Sequence, residues 1–227
     1  MRGEIDVRGA KNAAFPVLAA TILTKEDCVI ENLPLIEDVF RTIEILKSMD
    51  AKVDWLAERT VKINTKNIDP SKIDKKLVSR LRGSVLLFGP LLARFGKVTL
   101  PQPGGDIIGA RPIDTHLDAF SQLGVKITSQ RTGFRLEFSG KPKTQEVILN
   151  EFSVTATENI LLFAALLPVP VTLKIADQDY PVQELIKFLR KMGVGIRTPE
   201  LHTIVIEGKE KLKGAKHTLI FDPIEAG

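Results

Sequence analysis

Residues 103–116, reading PGGDIIGARPIDTH, crowd glycines, a carboxylate, an arginine and a histidine into one short stretch with no hydrophobic pattern to account for them. A stretch of this kind handles anions. Gly104, Gly105 and Gly109 let the backbone take positive φ and come close to a ligand. Arg111 offers a planar five-donor fork that suits phosphate or carboxylate. Pro112 fits the first position of a helix, where its missing N–H costs nothing. Asp114 and His116 are spaced to face one helix end, and Asp106 stands mid-loop without an adjacent partner. A plain surface loop leading into a helix is equally compatible with these residues taken alone. The surrounding elements decide between the two.

Those elements include three helix-length apolar runs, at 15–23, 85–93 and 160–167, hydrophobic on all sides and therefore expected as buried helices. Lys11 and Asn12 stand just before the first, Arg82, Gly83 and Ser84 before the second, and SVTATEN at 153–159 before the third. A helix start presents unpaired N–H groups and about half a positive charge. Lys11 and Arg82 placed there repel the helix ends unless an anion lies between them, or unless both side chains snorkel to water.

The chain repeats itself. Aligned on Asp50, Gly124 and Gly193, it carries Met49, Leu123 and Met192 one residue before, Leu46, Phe120 and Leu189 four before, and Ile43, Leu117 and Ile186 seven before. That is one apolar stripe of an amphipathic helix written three times. Val53, Ile127 and Ile196 follow three after each anchor in alternating runs that read as strands, and TVKIN, GFRLEF and HTIVIEG give a second strand to each copy. Short strands CVIENL, KVTLPQ and VTLKIA follow the buried runs. The expected fold class is therefore α/β, three repeated units with three interior helices at the centre, sheets outside and three solvent-facing amphipathic helices. Polar, Pro-containing breaks at 64–74 and 141–145 separate copies rather than independent domains.

The 227 residues, 44% hydrophobic and 26% charged, describe a soluble globular protein able to bury a core. No apolar run reaches the roughly 20 residues that cross a bilayer, and the opening MRGEIDVRGAKNAA lacks a signal-peptide core, so a cytoplasmic location and no membrane partner are expected. Cys28 is alone, and His116, His202 and His217 lack ligand spacing, which argues against a metal site. The net charge of +4 permits a nucleic-acid partner, but dispersed lysines with one Trp and one Tyr favour small anions instead.

GAKNAA at 9–14, LRGSVLLFGPLLARFG at 81–96, PGGDIIGARPIDTH at 103–116, SVTATEN at 153–159 and DPIEAG at 222–227 together resemble the UDP-N-acetylglucosamine enolpyruvyl transferase family. The related enolpyruvylshikimate-phosphate synthases share the repeat fold but not the loop at 103–116. The resemblance implies one lobe of an inverse α/β barrel. Residues 1–11 would be a strand belonging to the other lobe, 12–219 a single lobe of units at about 12–66, 75–140 and 147–208, and 220–227 a truncated hinge. It implies poor anchoring of 1–10 and 220–227 where that second lobe is missing, and a fragment or half-length protein.

The activity implied is transfer of enolpyruvyl from phosphoenolpyruvate to the 3′-hydroxyl of UDP-N-acetylglucosamine with release of phosphate, without metal or organic cofactor, as the committed step of peptidoglycan synthesis. Two tasks follow, protonating a methylene carbon and holding several negative charges together. By motif position Lys11, Arg82 and Arg111 would clamp phosphate and carboxylate, and Asn12 would bond the sugar nucleotide. Arg111, Pro112, Ile113, Asp114 and Thr115, with Ser153, Val154 and Thr155, would line the uridine diphosphate site. Asp106 takes the position of the family's usual proton-donating cysteine, which implies insensitivity to the epoxide fosfomycin. Lys11, Arg111 and Asp106 are the catalytic candidates.

The chain also departs from the family pattern. Thr155 replaces a glycine, Glu37 stands where a basic residue is common, Pro223 replaces an arginine, and DQDYPVQEL at 177–185 replaces REPEIVDL. The second lobe, which supplies the general base and further arginines in the family, is not within this sequence, so no turnover is expected of the chain by itself. The competing reading is a non-catalytic one-lobe protein binding a sugar nucleotide or anion.

Overall fold

The computed structural model describes residues 7–104 and 113–226. The first stretch forms α1 (Lys11–Ala20), a 3-10 turn at Thr21–Leu23, β1 (Cys28–Glu31), α2 (Glu37–Ser48) and the hairpin β2 (Lys52–Ala57) and β3 (Thr60–Asn64). The second forms α3 (Lys75–Val78), a 3-10 segment at Arg82–Leu87 running into α4 (Phe88–Phe95), then β4 (Lys97–Pro101), α5 (Asp114–Gln122), β5 (Lys126–Gln130) and β6 (Gly133–Glu137). The third forms β7 (Glu146–Ile148), α6 (Val154–Ala164), β8 (Val171–Lys174), α7 (Tyr180–Met192), β9 (Gly195–Glu200) and β10 (Thr203–Glu207). β11 (Lys216–Thr218) and α8 (Pro223–Ala226) follow.

The strands make three sheets, ordered β11-β1-β3-β2, β4-β6-β5 and β7-β8-β10-β9. Their buried partners, such as Ile30 opposite Val61, Val98 opposite Leu136 and Leu173 opposite Ile204, face inward. The interior helices α1, α4 and α6 fill the centre with Val17, Leu18, Leu91, Leu92, Leu161 and Phe163, all fully enclosed. Each such side chain contributes about 1.5–3 kcal/mol by leaving water. Phe163 takes the ring edges of Phe120 and Phe138 at centroid distances of 5.6 and 5.0 Å, the geometry that the ring quadrupole favours. Cys28 lies in this core, where burial pushes its thiol up to about 11. Among the described residues no helix is long and apolar enough to cross a membrane.

Four features differ from the expectation. The second interior run begins as a 3-10 segment, because Pro90 has no N–H to close an α-helical bond onto Leu86. Helix α7 is enclosed on most of its circumference, with only Lys187, Arg190 and Lys191 fully in solvent, because it packs on α1 and α6 as well as on its own sheet. The three-residue strands β7 and β11, too short to show an alternating pattern, add the parallel edges of two sheets, β7 on β8 and β11 on β1. Within the segments expected to be poorly anchored, the described residues 7–10 and 220–226 bond to each other, while 1–6 and 227 lie outside the described residues: the Ala10 N–H donates to the Ile220 carbonyl at 2.9 Å and the Asp222 N–H to the Arg8 carbonyl at 2.7 Å.

The repeat anchors have a common conformation. Asp50, Gly124 and Gly193 all have positive φ, at 70°, 87° and 105°, immediately after α2, α5 or α7. Each closes its helix in the same way. The next residue's N–H, from Ala51, Val125 or Val194, reaches back to Leu46, Phe120 or Leu189 at 3.0–3.1 Å, and the anchor's own N–H reaches Lys47, Ser121 or Arg190. This is the Schellman closure, and it turns the chain from each helix straight into a strand.

A buried polar node ties the interior helices together. Asn159 on α6 accepts from the Gly89 N–H on α4 at 2.9 Å and donates to the Val85 carbonyl and to His116 Nδ1, each at 2.9 Å. Since His116 Nδ1 accepts, its proton sits on Nε2 and is donated to Thr155 Oγ1 at 3.1 Å. The backbones come so close that a Cβ on Gly89 would lie 2.5 Å from the Asn159 carbonyl oxygen. Burial, and then the nearby Arg82 guanidinium, push the His116 imidazole down to about 4.

Two outcomes are expected. Gly193→Ala meets no atom nearer than Lys209 Nζ at 3.9 Å, so it should cost only the left-handed strain of about 1 kcal/mol, measured as a shift in the urea midpoint. His116 is neutral when folded and protonates near 6.5 when unfolded, so the unfolded state binds the extra proton between the two values. Its contribution is present above pH 6.5 and is lost as pH falls toward 4. Urea unfolding of the natural chain should therefore weaken over that window by on the order of 3 kcal/mol more than that of His116→Gln.

Candidate functional site

The starts of α1, of the Arg82–Leu87 segment and of α6 converge on one hollow of about 280 Å³. None of the three carries an acidic residue in its first turn, whereas α2 opens with Glu37 and Asp38 and α5 with Asp114. The positive ends of the interior helices are thus left uncompensated along their own chain. Lys11, Arg41, Arg80 and Arg82 line the hollow, with Asp38 and Glu158 as the carboxyl-bearing side chains. Phe15 and Leu86 give it an apolar wall.

The Lys11 ammonium pairs with Asp38 of α2 at 2.8 Å, while its side chain remains 47% exposed and lies 6.0 Å from the centre of the Phe15 ring. Arg41, one turn along α2, pairs with Glu37. That pair accounts for the unusual carboxylate at position 37. Gly83 opens the Arg82 segment against the Phe15 ring, where a Cβ would come to 3.3 Å. The α6 entry is capped by Ser153, whose hydroxyl accepts from the Ala156 N–H at 3.3 Å. Thr155, in place of a glycine, spends its hydroxyl on His116.

Glu158 sits one turn into α6, 1% exposed, and its Oε1 has no hydrogen-bond partner. Burial first, and then Asp177, push its carboxyl well above the usual carboxylate range. The Tyr180 hydroxyl, enclosed and also without a partner, is pushed up by burial although the Asn12 side chain beside it acts the other way. Among the described residues, four cationic side chains line the hollow, and Lys11 pairs there with Asp38 and Arg41 with Glu37.

Of the residues singled out by sequence, Lys11, Asn12, Arg82, Val154 and Thr155 come together in the hollow. Ile113, Asp114, Thr115 and Ser153 do not line it. Ile113 and Asp114 form the buried cap and exposed first residue of α5, and Thr115 donates to Glu151 Oε1 at 2.8 Å. They flank the hollow through the His116–Thr155 bond. Asp106, Arg111 and Pro112 lie outside the described residues. Sequence reasoning missed Asp38, Arg41, Arg80, Phe15 and Glu158. Only Glu158 left a sign, the one acidic residue of the interior helix α6.

The chain is 40% identical over its whole length to UDP-N-acetylglucosamine 1-carboxyvinyltransferase 1 of Clostridium acetobutylicum, covering 54% of that protein. It is 41% identical to the UDP-N-acetylglucosamine 1-carboxyvinyltransferase of Bradyrhizobium diazoefficiens, covering 52% of it. The chain thus spans about half the length of these relatives. In fold it matches the enolpyruvyl transferase NikO from Streptomyces tendae with a TM-score of 0.86 at 24% identity, covering all of this chain and 53% of that one. EPSP synthase from Acinetobacter baumannii gives 0.75 at 18%, covering 99% and 51%. The family model described as EPSP synthase (3-phosphoshikimate 1-carboxyvinyltransferase) matches residues 1–227, and the chain belongs to that family.

Proposed function

We propose that this chain is the sugar-nucleotide-binding lobe of a transferase that, with a second lobe, moves enolpyruvyl from phosphoenolpyruvate to the 3′-hydroxyl of UDP-N-acetylglucosamine, releasing phosphate. The observation that carries the reading is the meeting of Lys11, Asn12, Arg82 and Thr155 at helix starts that no acidic first-turn residue neutralises. The names of the relatives that share about 40% of the sequence support the choice of substrates. In this reading the cell-wall step takes place in the cytoplasm.

Each group has a task. Phosphoenolpyruvate and its adduct with the sugar carry phosphate and carboxylate together, so their stabilisation needs fixed positive charge more than any other contribution. Arg82 and Arg111 supply guanidinium forks, and Lys11 a mobile ammonium that Asp38 holds in readiness. That exposed ion pair is weak in water, and a phosphate dianion displaces it through stronger charge-assisted bonds. Asn12 bonds the sugar nucleotide, whose diphosphate and base lie along 111–115 and 153–155. Asp106 protonates the methylene carbon. The second lobe brings the general base and closes the cleft against water, which strengthens every charge interaction inside it.

Titrating UDP-N-acetylglucosamine into the chain should shift the backbone amide resonances of residues 11–15 and 153–159. Lys11→Ala should weaken binding of phosphoenolpyruvate, measured with the sugar nucleotide present, about tenfold. Asp38→Asn should strengthen it about threefold by freeing the ammonium. Incubating the chain with both substrates should release no phosphate, because a half-built cleft lacks the positioning that makes the reaction unimolecular. Unchanged affinity in Lys11→Ala, or phosphate release by this polypeptide, would refute the assignment.

A further inference from the structure

One group in the hollow has no role in the reading above. Glu158 lines the cavity formed by Lys11, Asn12, Arg82 and Thr155, is 1% exposed, and leaves Oε1 without a hydrogen-bond partner. Native proteins rarely leave a buried polar atom unsatisfied, and each exception calls for a reason. Structural pairing does not supply one here. The neighbouring Thr157 hydroxyl is used on the Asp177 N–H at 3.0 Å, and Asn159 is used fully on Gly89, Val85 and His116. A second orphan, the Tyr180 hydroxyl, lies near enough to be influenced by both Asn12 and Glu158.

We propose that Glu158 is a ligand-contacting, specificity-determining residue whose carboxyl group takes up an uncharged polar group, a hydroxyl or amide, of the sugar nucleotide that lies beside the phosphate held by the helix starts and Lys11. The inference rests on the proposed function and adds the feature that separates a hydroxylated, amide-bearing sugar phosphate from a bare anion. Burial and Asp177 favour the uncharged carboxylic acid, which has a donor and an acceptor and does not oppose a neighbouring phosphate. An ionised carboxylate at the same place would repel the phosphate that the cations attract. The hollow thus has a cationic side made by Lys11 and Arg82 and, at Glu158, a side where burial opposes negative charge.

The test uses the full chain with Glu158→Leu and Glu158→Gln, titrated with UDP-N-acetylglucosamine and separately with inorganic phosphate, alongside thermal melts. Leu has no polar group, so sugar-nucleotide affinity should fall about tenfold while phosphate affinity stays within about twofold. Gln keeps a donor and an acceptor and should bind the sugar nucleotide within about threefold of the natural chain. Removing an orphaned polar atom should leave the melting temperature of Glu158→Leu unchanged or raised. A fall in that temperature marks Glu158 as structural and overturns the inference. Sugar-nucleotide binding that Glu158→Leu leaves unaltered, or an equal loss for phosphate, also overturns it while leaving the proposed function intact. Failure of the natural chain to bind the sugar nucleotide removes the proposed function, and the inference with it.

Discussion

Positive helix ends brought together without their own counter-charge are the constraint on which this molecule turns. Buried helices give the largest apolar burial when they pack at the centre, where α4 lies on α6 and α1 lies on α7 and on the Arg82–Leu87 segment. Running in the same sense, they deliver their unpaired N–H groups to one end. The outer helices α2 and α5 place carboxylates in their first turns, while the interior helices place Lys11, Arg82 and a serine cap there. Stability alone would favour the acidic arrangement everywhere. The chain gives up that local gain at one end of the bundle, where the hollow lies.

The packing that brings the ends together is specific. Gly89 admits the α6 backbone to a distance no Cβ would allow, and Asn159 satisfies the groups exposed by that approach. His116 then links α5 to the same node and to Thr155, which lines the hollow. A core contact and a site contact are here the same hydrogen-bonded chain. The threonine at position 155, out of place against a glycine pattern, has its hydroxyl satisfied by this linkage.

Much of the architecture was legible because it repeats. The stripe ending at Met49, Leu123 and Met192, and the turn residue after it, recur because a left-handed closure must follow each outer helix. The apolar runs read as buried helices because no polar face interrupts them. The short parallel strands β7 and β11 were not legible, since three residues carry no period and their pairing comes from distant segments. Lys11, Asn12 and Arg82 were legible as site residues by their place before those runs. Asp38 was not, because nothing in an ordinary acidic first turn announces that it reaches across to another helix. Glu158 was visible but unread, its meaning depending on burial that only the assembled helices create.

Gly9 bridges to Phe221, and Arg8 and Ala10 bond to Asp222 and Ile220. Residues 8–10 and 220–222 therefore run side by side, joined backbone to backbone. Lys11, which follows directly on this pairing, is the first residue of α1 and lines the hollow, so the seat of its ammonium is tied to backbone bonds made by a segment more than two hundred residues away.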